Sequence, residues 1–366
     1  MTDPRIDRMA GVIAGYSLGL GPGRLALLTG DVAGLPLLRA VFRRALALGA
    51  LPVLRLADAE TERILILEGS DEQLGHVPAF ENAELEEIRA RLVVRAPDNV
   101  AALAGTDPGR RALRARSRRS WFERFLERKA KGELASCLTQ FPTEAAAQHA
   151  GMALADYEDF VYRACFVDRD DPVAAWQELS RGQQRYVDFL DTVAELRFEA
   201  PDLDLRLSVR GRKWINSDGR ANFPSGEVFT GPVEDSAEGR VRFDIPAHYL
   251  GRPVEGAVLE FRAGRVVGHS ADRGADALAA LLDTDEGSRV LGEVAFGLNA
   301  GIDRPTGNIL FDEKIGGTIH LAVGAGYPDS GSLNRSAVHA DLIRRMDPGR
   351  VLADGRLIYE NGRFTI

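Results

Sequence analysis

A strand–helix–strand signature near the amino terminus constrains the fold of this chain more than any other feature. Leu25-Ala-Leu-Leu-Thr29 is an apolar run of strand length. From Asp31 to Leu48 apolar residues recur at helical spacing (Leu35, Leu38, Val41, Phe42, Ala45), and Gly49 ends the helix. Leu51-Pro-Val-Leu54 reads as the next strand. Two strands joined through a helix lie parallel with a right-handed crossover, so the chain opens with a parallel sheet. Arg63-Ile-Leu-Ile-Leu67 and Arg91-Leu-Val-Val-Arg95 are further strand candidates. Gly15, Gly19, Gly21 and Gly23 hint at a dinucleotide site, but phosphate-binding glycines follow a strand and open a helix. Here they precede the first strand and read as a turn-rich lead-in.

From about Asp107 to Ala200 the pattern is mainly helical. Pro142 and Thr143 mark one helix start, and Pro172 sits in the first turn of another, after an acidic turn at 168–171. After Pro201 the texture changes. Asp204-Leu-Arg-Leu-Ser-Val-Arg210 alternates apolar and polar residues, and 241–265, 290–296, 319–323 and 357–364 are strand-like in a Gly-rich context. The expected architecture is therefore α/β followed by α+β. An amino-terminal α/β domain with a parallel sheet and a helical extension covers 1–200, and a β-rich α+β domain covers 201–366.

Composition limits the function classes. A length of 366 residues suits two domains, and 45% hydrophobic with 27% charged residues leaves ample material for a core. A net charge of −8 argues against a general nucleic-acid or anionic-membrane binder. The exception to weigh is 110–131, where ten Arg and Lys face only Glu123 and Glu127, with Trp121, Phe122 and Phe125 interleaved. Its plainer reading is a solvated helix with one apolar face. Cys137 and Cys165 each stand alone, which rules out a thiolate zinc site and leaves no disulfide framework to expect. The charged start Met1-Thr-Asp-Pro-Arg-Ile-Asp-Arg8 lacks the apolar core of a signal peptide, and no run approaches the ~20 apolar residues of a membrane span. A cytoplasmic protein without membrane partners is expected.

The chemistry concentrates in the second half. Phe223-Pro-Ser-Gly-Glu-Val-Phe-Thr-Gly-Pro232 holds Glu227 among two prolines and two glycines, either as an exposed turn carboxylate or as a metal ligand on a rigid turn. Val290-Leu-Gly-Glu-Val-Ala-Phe296 sets Glu293 inside an apolar strand. Carboxylates are almost never fully buried without a partner, so Glu293 faces water on an edge strand, joins an ion pair or serves function. Phe311-Asp-Glu-Lys-Ile-Gly-Gly-Thr-Ile-His320 brings Glu313 and His320 together, and Tyr327 follows the Gly324-Ala-Gly326 hinge. His320 alone, between Ile319 and Leu321, could equally be a core histidine. In Asn334-Arg-Ser-Ala-Val-His-Ala-Asp341, an extended His339-x-Asp341 presents imidazole and carboxylate on one face. Oxygen and nitrogen donors without thiolate suit a hydrolytic centre, often with two ions sharing a carboxylate.

Taken in this order, the four motifs resemble the metallo-aminopeptidases of the aminopeptidase T and aminopeptidase S type, the thermophilic aminopeptidase family. The resemblance covers nearly the whole chain. It implies an exopeptidase that removes amino-terminal residues from peptides, using two divalent ions (Zn, Co, Mn or Mg) and an activated water. By the same resemblance Glu227, Glu293, His320, His339 and Asp341 are metal ligands, with Glu293 bridging. Glu313 is the general base, and Tyr327 ligates or stabilises the oxyanion. A homodimer with an enclosed catalytic cavity is also implied, with peptide substrates carrying a free amino terminus. One departure stands out: Glu313 precedes His320 by seven residues, a longer stretch than in the familiar members, with Lys314 and two glycines between. Asp312 is then an alternative base, and Lys314 would favour an anionic substrate group. The competing readings are an inactive relative acting as a scaffold, and a metal hydrolase of a non-peptide amide. Serine or cysteine catalysis lacks support, since no Gly-x-Ser-x-Gly occurs and neither Cys lies in a motif with His.

Overall fold

The computed structural model describes residues 3–249 and 251–366. Met1 and Thr2 of the charged amino terminus, and Leu250 in the strand-like stretch 241–265, lie outside the described residues. The chain forms two compact units, Met1–Val173 with Gly219–Phe223, and Ala174–Asp218 with Pro224–Ile366.

The first unit runs through α1 (Pro4–Val12), β1 (Leu25–Asp31), α2 (Leu35–Ala47), β2 (Leu51–Ala57), α3 (Ala59–Glu68), α4 (Asp71–Gly75), α5 (Ala79–Glu87), β3 (Ala90–Arg95), α6 (Pro108–Ser117), α7 (Arg119–Ala130), β4 (Ala135–Gln140), α8 (Glu144–His149) and α9 (Leu154–Ala164). The chain then passes through α10 (Pro172–Leu190), β5 (Glu195–Ala200), β6 (Leu203–Ser208) and β7 (Ile215–Ser217), and β8 (Asn222–Phe223) returns to the first unit. Helix α10 and strand β5, on the amino-terminal side of the division expected at 200, thus belong to the second unit.

The first unit is an α/β layer structure. Its five-stranded sheet has the order β2-β1-β3-β4-β8 and every neighbouring pair is parallel. The lead-in carrying Gly15 is helical, since α1 continues as a wider turn over Ile13–Ser17 and buries Ile6, Met9, Val12 and Ile13. Thr143 caps α8 by accepting from the Ala146 N–H at 3.2 Å. Arg63–Leu67, read from the sequence as a strand, lies inside α3. A short apolar run is compatible with either element, and its flanks decide here. The Asp58 carboxylate accepts from the Thr61 N–H at 3.0 Å, and Glu60 and Glu62 in the first turn favour the helix dipole.

The basic segment becomes α6 and α7, and most of its charge is spent on neighbouring acids. Arg110 pairs with Asp71, Arg114 with Glu62, Arg118 with Glu81, Arg124 with Glu86, and the buried Arg128 with Glu133. Trp121 and Phe125 stack at 5.6 Å on the inner face. Among the described residues no helix is long and apolar enough to cross a membrane.

The second unit continues with β9 (Glu227–Thr230), β10 (Glu238–Arg242), β11 (Ala247–Tyr249), β12 (Arg252–Val254), β13 (Val258–Arg262), β14 (Arg265–Ser270), α11 (Ala275–Leu282), β15 (Leu291–Gly297), α12 (Ile309–Asp312), β16 (Thr318–Gly324), β17 (His339–Arg345), β18 (Arg350–Ala353), β19 (Arg356–Glu360) and β20 (Arg363–Phe364). Two larger sheets dominate, one of eight strands (β14-β13-β10-β6-β5-β18-β19-β20) and one of five (β17-β16-β15-β9-β7). A single apolar core lies between them. Val228, Val294, Phe296, Ile319, Leu321 and Leu342 from the five-stranded sheet share it with Phe198, Leu205, Val351 and Tyr359 from the eight-stranded one. The architecture is thus a parallel-sheet α/β region followed by β-rich sheets.

Candidate metal centre

Strand register gathers the candidate residues. In the five-stranded sheet Glu227 lies opposite Gly297, Phe229 opposite Ala295, and Ala295 opposite His320. Glu293 lies opposite Ala322, Ala322 opposite Asp341, and Gly324 opposite His339. Cross-strand partners share a face and faces alternate along a strand. Glu227, Glu293, His320, His339 and Asp341 therefore project from one face, while their sequence neighbours fill the apolar core on the other. Small residues at 295, 297, 322 and 324 leave that face open between them.

Local geometry aims the acids. Glu227 begins β9, so it stands on a strand and not on the turn expected from the sequence. The turn is the preceding Gly226, at φ +116°, where an added Cβ would lie 2.8 Å from the Asn299 Cβ. Glu293 is 4% exposed on the central strand of its sheet, which excludes the water-facing edge position. The register shifts between Leu291 and Glu293, so the regular pairing that keeps Glu293 on the face of Ala295 and Gly297 begins at Glu293 itself. Gly324 ends β16 at φ +102° and turns the chain toward Tyr327.

The side chains meet at short range. The His320 Nε2 lies 3.1 Å from Glu293 Oε1 and 3.6 Å from Glu227 Oε2. The His339 Nε2 lies 3.7 Å from Glu293 Oε2 and 3.6 Å from Asp341 Oδ1. The two oxygens of Glu293 thus face two different imidazoles. The His339 Nδ1–H can donate to the Ala325 carbonyl at 2.6 Å, which directs Nε2 at the acids. Glu227, Glu293 and His320 are buried, whereas His339 reaches solvent, so the cluster has a deep end and an open end.

Glu313 follows α12 and forms a cluster with His320 and Asp341. The fully buried Lys314 ammonium bonds Glu313 Oε1 and lies 3.6 Å from Glu227 Oε1. Lys314 therefore faces the acids from within and presents no charge to a substrate in solution. Asp312 points elsewhere. It accepts from the Thr306 N–H at 2.7 Å, the Thr306 hydroxyl at 2.9 Å and the Gly307 N–H at 2.8 Å, a structural turn that leaves it no base role. Tyr327 stands exposed at the rim, its ring 5.1 Å from that of His339 and 5.4 Å from that of Phe229.

Two contributors carried no flag in the sequence reading. Phe229 shares the face of Glu227 two residues on, and period-two spacing could have found it. The buried Gln183 of α10 donates to the Glu227 carbonyl at 3.1 Å and to Asn216 Oδ1 at 2.6 Å, and so holds the start of β9. No local pattern marks that contact.

The donor set fits divalent cations. Glu227, Glu293, Glu313 and Asp341 bring four carboxylates against one ammonium, Lys314. Glu227 Oε2, His320 Nδ1 and Asp341 Oδ1 are buried without a hydrogen-bond partner, a costly arrangement unless a cation binds nearby. Burial opposes the charged form of His320, but the Glu293 hydrogen bond and the Glu227 and Asp341 charges outweigh it and push its pKa up to about 9. A divalent ion would reverse that preference, because a ligating imidazole is neutral. Burial also raises the Glu313 carboxyl, against the Lys314 charge and with that of Glu227.

Comparison with known proteins identifies the family. The family model described as thermophilic metalloprotease (M29) matches residues 2–364. Aminopeptidase 2 of Geobacillus stearothermophilus is 29% identical over 93% of this chain and 92% of its own. Wild-type AmpT from Thermus thermophilus has a TM-score of 0.87 at 25% identity, covering 99% of each chain. A 2,5-dihydroxypyridine dioxygenase from Pseudomonas putida KT2440 shares the fold at TM-score 0.58 and 14% identity, over 98% of this chain and 96% of its own, so fold alone does not select the reaction. The family match spans the chain almost end to end: the chain belongs to the thermophilic metalloprotease family (M29), and is a metal-dependent hydrolase.

Proposed function

We propose that this chain is an aminopeptidase that hydrolyses the amino-terminal peptide bond of peptides, with two divalent ions held by Glu227, Glu293, His320, His339 and Asp341. The observation that carries the reading is Glu293, whose Oε1 faces His320 at 3.1 Å and whose Oε2 faces His339 at 3.7 Å. A carboxylate shared between two donor groups suits a pair of ions. When bound, the ions polarise the scissile carbonyl and acidify water, and Zn, Co, Mn and Mg all suit these oxygen and nitrogen donors. Glu313 takes a proton from the attacking water, whose oxygen adds to the carbonyl carbon. As the C–N bond breaks, Glu313 returns that proton to the leaving amine. Its raised pKa suits both transfers. The Tyr327 phenol, at the open end, donates to the carbonyl oxygen as negative charge develops there. A free amine keeps a lone pair that a divalent ion could bind, whereas an acylated nitrogen has lost it to the amide, so a free amino terminus is favoured over a blocked one.

The homodimer expected from the family resemblance draws support from the first unit. Edge strand β2 exposes Leu51, Val53, Leu54 and Leu56, beside Ile64 and Leu67 of α3. An open apolar edge of this kind is a template for pairing with a second copy. Cys137 and Cys165 are buried and in no disulfide, which suits a reducing, cytoplasmic compartment.

The direct test is hydrolysis of a peptide panel with free and with acetylated amino termini, by chelator-stripped and by metal-reconstituted protein. Cleavage restricted to free termini and to loaded protein is expected. Cleavage of acetylated peptides at equal rates would move the reading to another amide hydrolase. Metal binding without cleavage of any peptide would move it to a scaffold.

A further inference from the structure

The hydrolytic reading leaves Lys314 without a role. Its side chain has no solvent exposure, and lysine is almost never fully buried unless paired. The pairing is with the acids of the site itself: Nζ bonds Glu313 Oε1 and lies 3.6 Å from Glu227 Oε1, while Glu227 Oε2 faces His320 at 3.6 Å. The ammonium therefore sits at the deep end of the cluster. On the other side, Asp341 Oδ1 and Glu293 Oε2 have His339 as their ion-pair partner among the described residues.

We propose that Lys314 makes the two ion sites unequal, so that the ion on the His339–Asp341 side binds tightly and the ion on the Glu227–His320 side binds weakly. This inference rests on the two-ion reading above. A buried ammonium cannot withdraw into water when a divalent cation arrives. It competes for the Glu227 carboxylate and repels the incoming charge through a medium that screens poorly. The ammonium pairs directly with Glu227 and Glu313 and reaches Asp341 only through its field, with no ion pair to it, so the Glu227–His320 side carries most of the penalty. Occupancy of the weak site, and turnover with it, then follows the free divalent-ion concentration.

The test is titration of Co²⁺ into the chelator-stripped full chain, followed by calorimetry and visible absorption. The wild type is expected to take up two equivalents whose dissociation constants differ about tenfold or more. Lys314→Met, neutral and of similar length, is expected to tighten the weaker equivalent about tenfold or more and leave the tighter one unchanged. Glu227→Gln is expected to lose the weak equivalent and keep the tight one, and Asp341→Asn to do the opposite. These two variants and the wild-type isotherm decide the matter if Lys314→Met fails to fold. Two equally tight equivalents in the wild type would overturn the inference and leave the peptidase reading intact. So would an unchanged isotherm in Lys314→Met, or loss of the tight equivalent in Glu227→Gln. A wild type that binds no Co²⁺, Zn²⁺ or Mn²⁺ would overturn both.

Discussion

Glu293 and Glu313 belong to one cluster, but their surroundings divide their roles. Both oxygens of Glu293 are turned toward imidazoles, whereas Glu313 is held by the neighbouring ammonium. Glu293→Ala is therefore expected to abolish both metal loading and turnover. Glu313→Gln keeps the shape and an oxygen for Lys314 but removes the proton acceptor. Its turnover is expected to fall about 10²- to 10⁴-fold at unchanged metal content, read by elemental analysis beside steady-state kinetics. Wild-type turnover in that variant would assign the base role to another group. At this scale the sequence was informative wherever a local rule applied. His339 and Asp341 share a face because strands repeat every two residues. The fate of Lys314 was not legible, because nothing in Asp-Glu-Lys-Ile-Gly-Gly distinguishes an ammonium facing water from one turned inward.

Strand β15 links the core to the site. Glu293, Ala295 and Gly297 face the cluster, while Val294 and Phe296 face the apolar interior. Phe296 lies 4.9 Å from Phe364, 5.1 Å from Tyr359, 6.0 Å from Trp214 and 6.2 Å from Phe198, ring centre to ring centre. Truncating such a buried ring removes transfer free energy and leaves a cavity. Phe296→Ala is expected to destabilise the metal-loaded protein by about 3–5 kcal/mol, read from its denaturant midpoint. A loss below about 1 kcal/mol would show that the core repacks without it. Elements with alternating or boundary-marked sequences, such as β1, α2 and β6, were recognisable in advance. Residues 63–67 were not, because five apolar-rich residues suit either period until the Asp58 cap is weighed.

At the scale of the whole molecule, the exposed edge of β2 is the feature with a consequence for assembly. If two copies meet there, charge on that edge should separate them. Leu54→Lys combined with Leu56→Lys is expected to halve the mass measured by sedimentation equilibrium, with the circular dichroism of the chain unchanged. A wild type that sediments as a monomer, or a variant that stays dimeric, would remove β2 as the interface.

Local pattern alone carried the class of the fold and the ordered motifs that hold each acid and imidazole. Those properties depend on periodicity, composition and spacing, which are written in short stretches of chain. Tertiary structure alone decided which strands lie side by side and which polar groups lose their water. Glu227 meets Glu293 and His320 through antiparallel register across β9, β15 and β16, a pairing of residues far apart in the chain. The burial of Lys314 and the diversion of Asp312 to Thr306 follow from the same packing. Pairing and burial are set by the free energy of the whole core, so no window of sequence contains them.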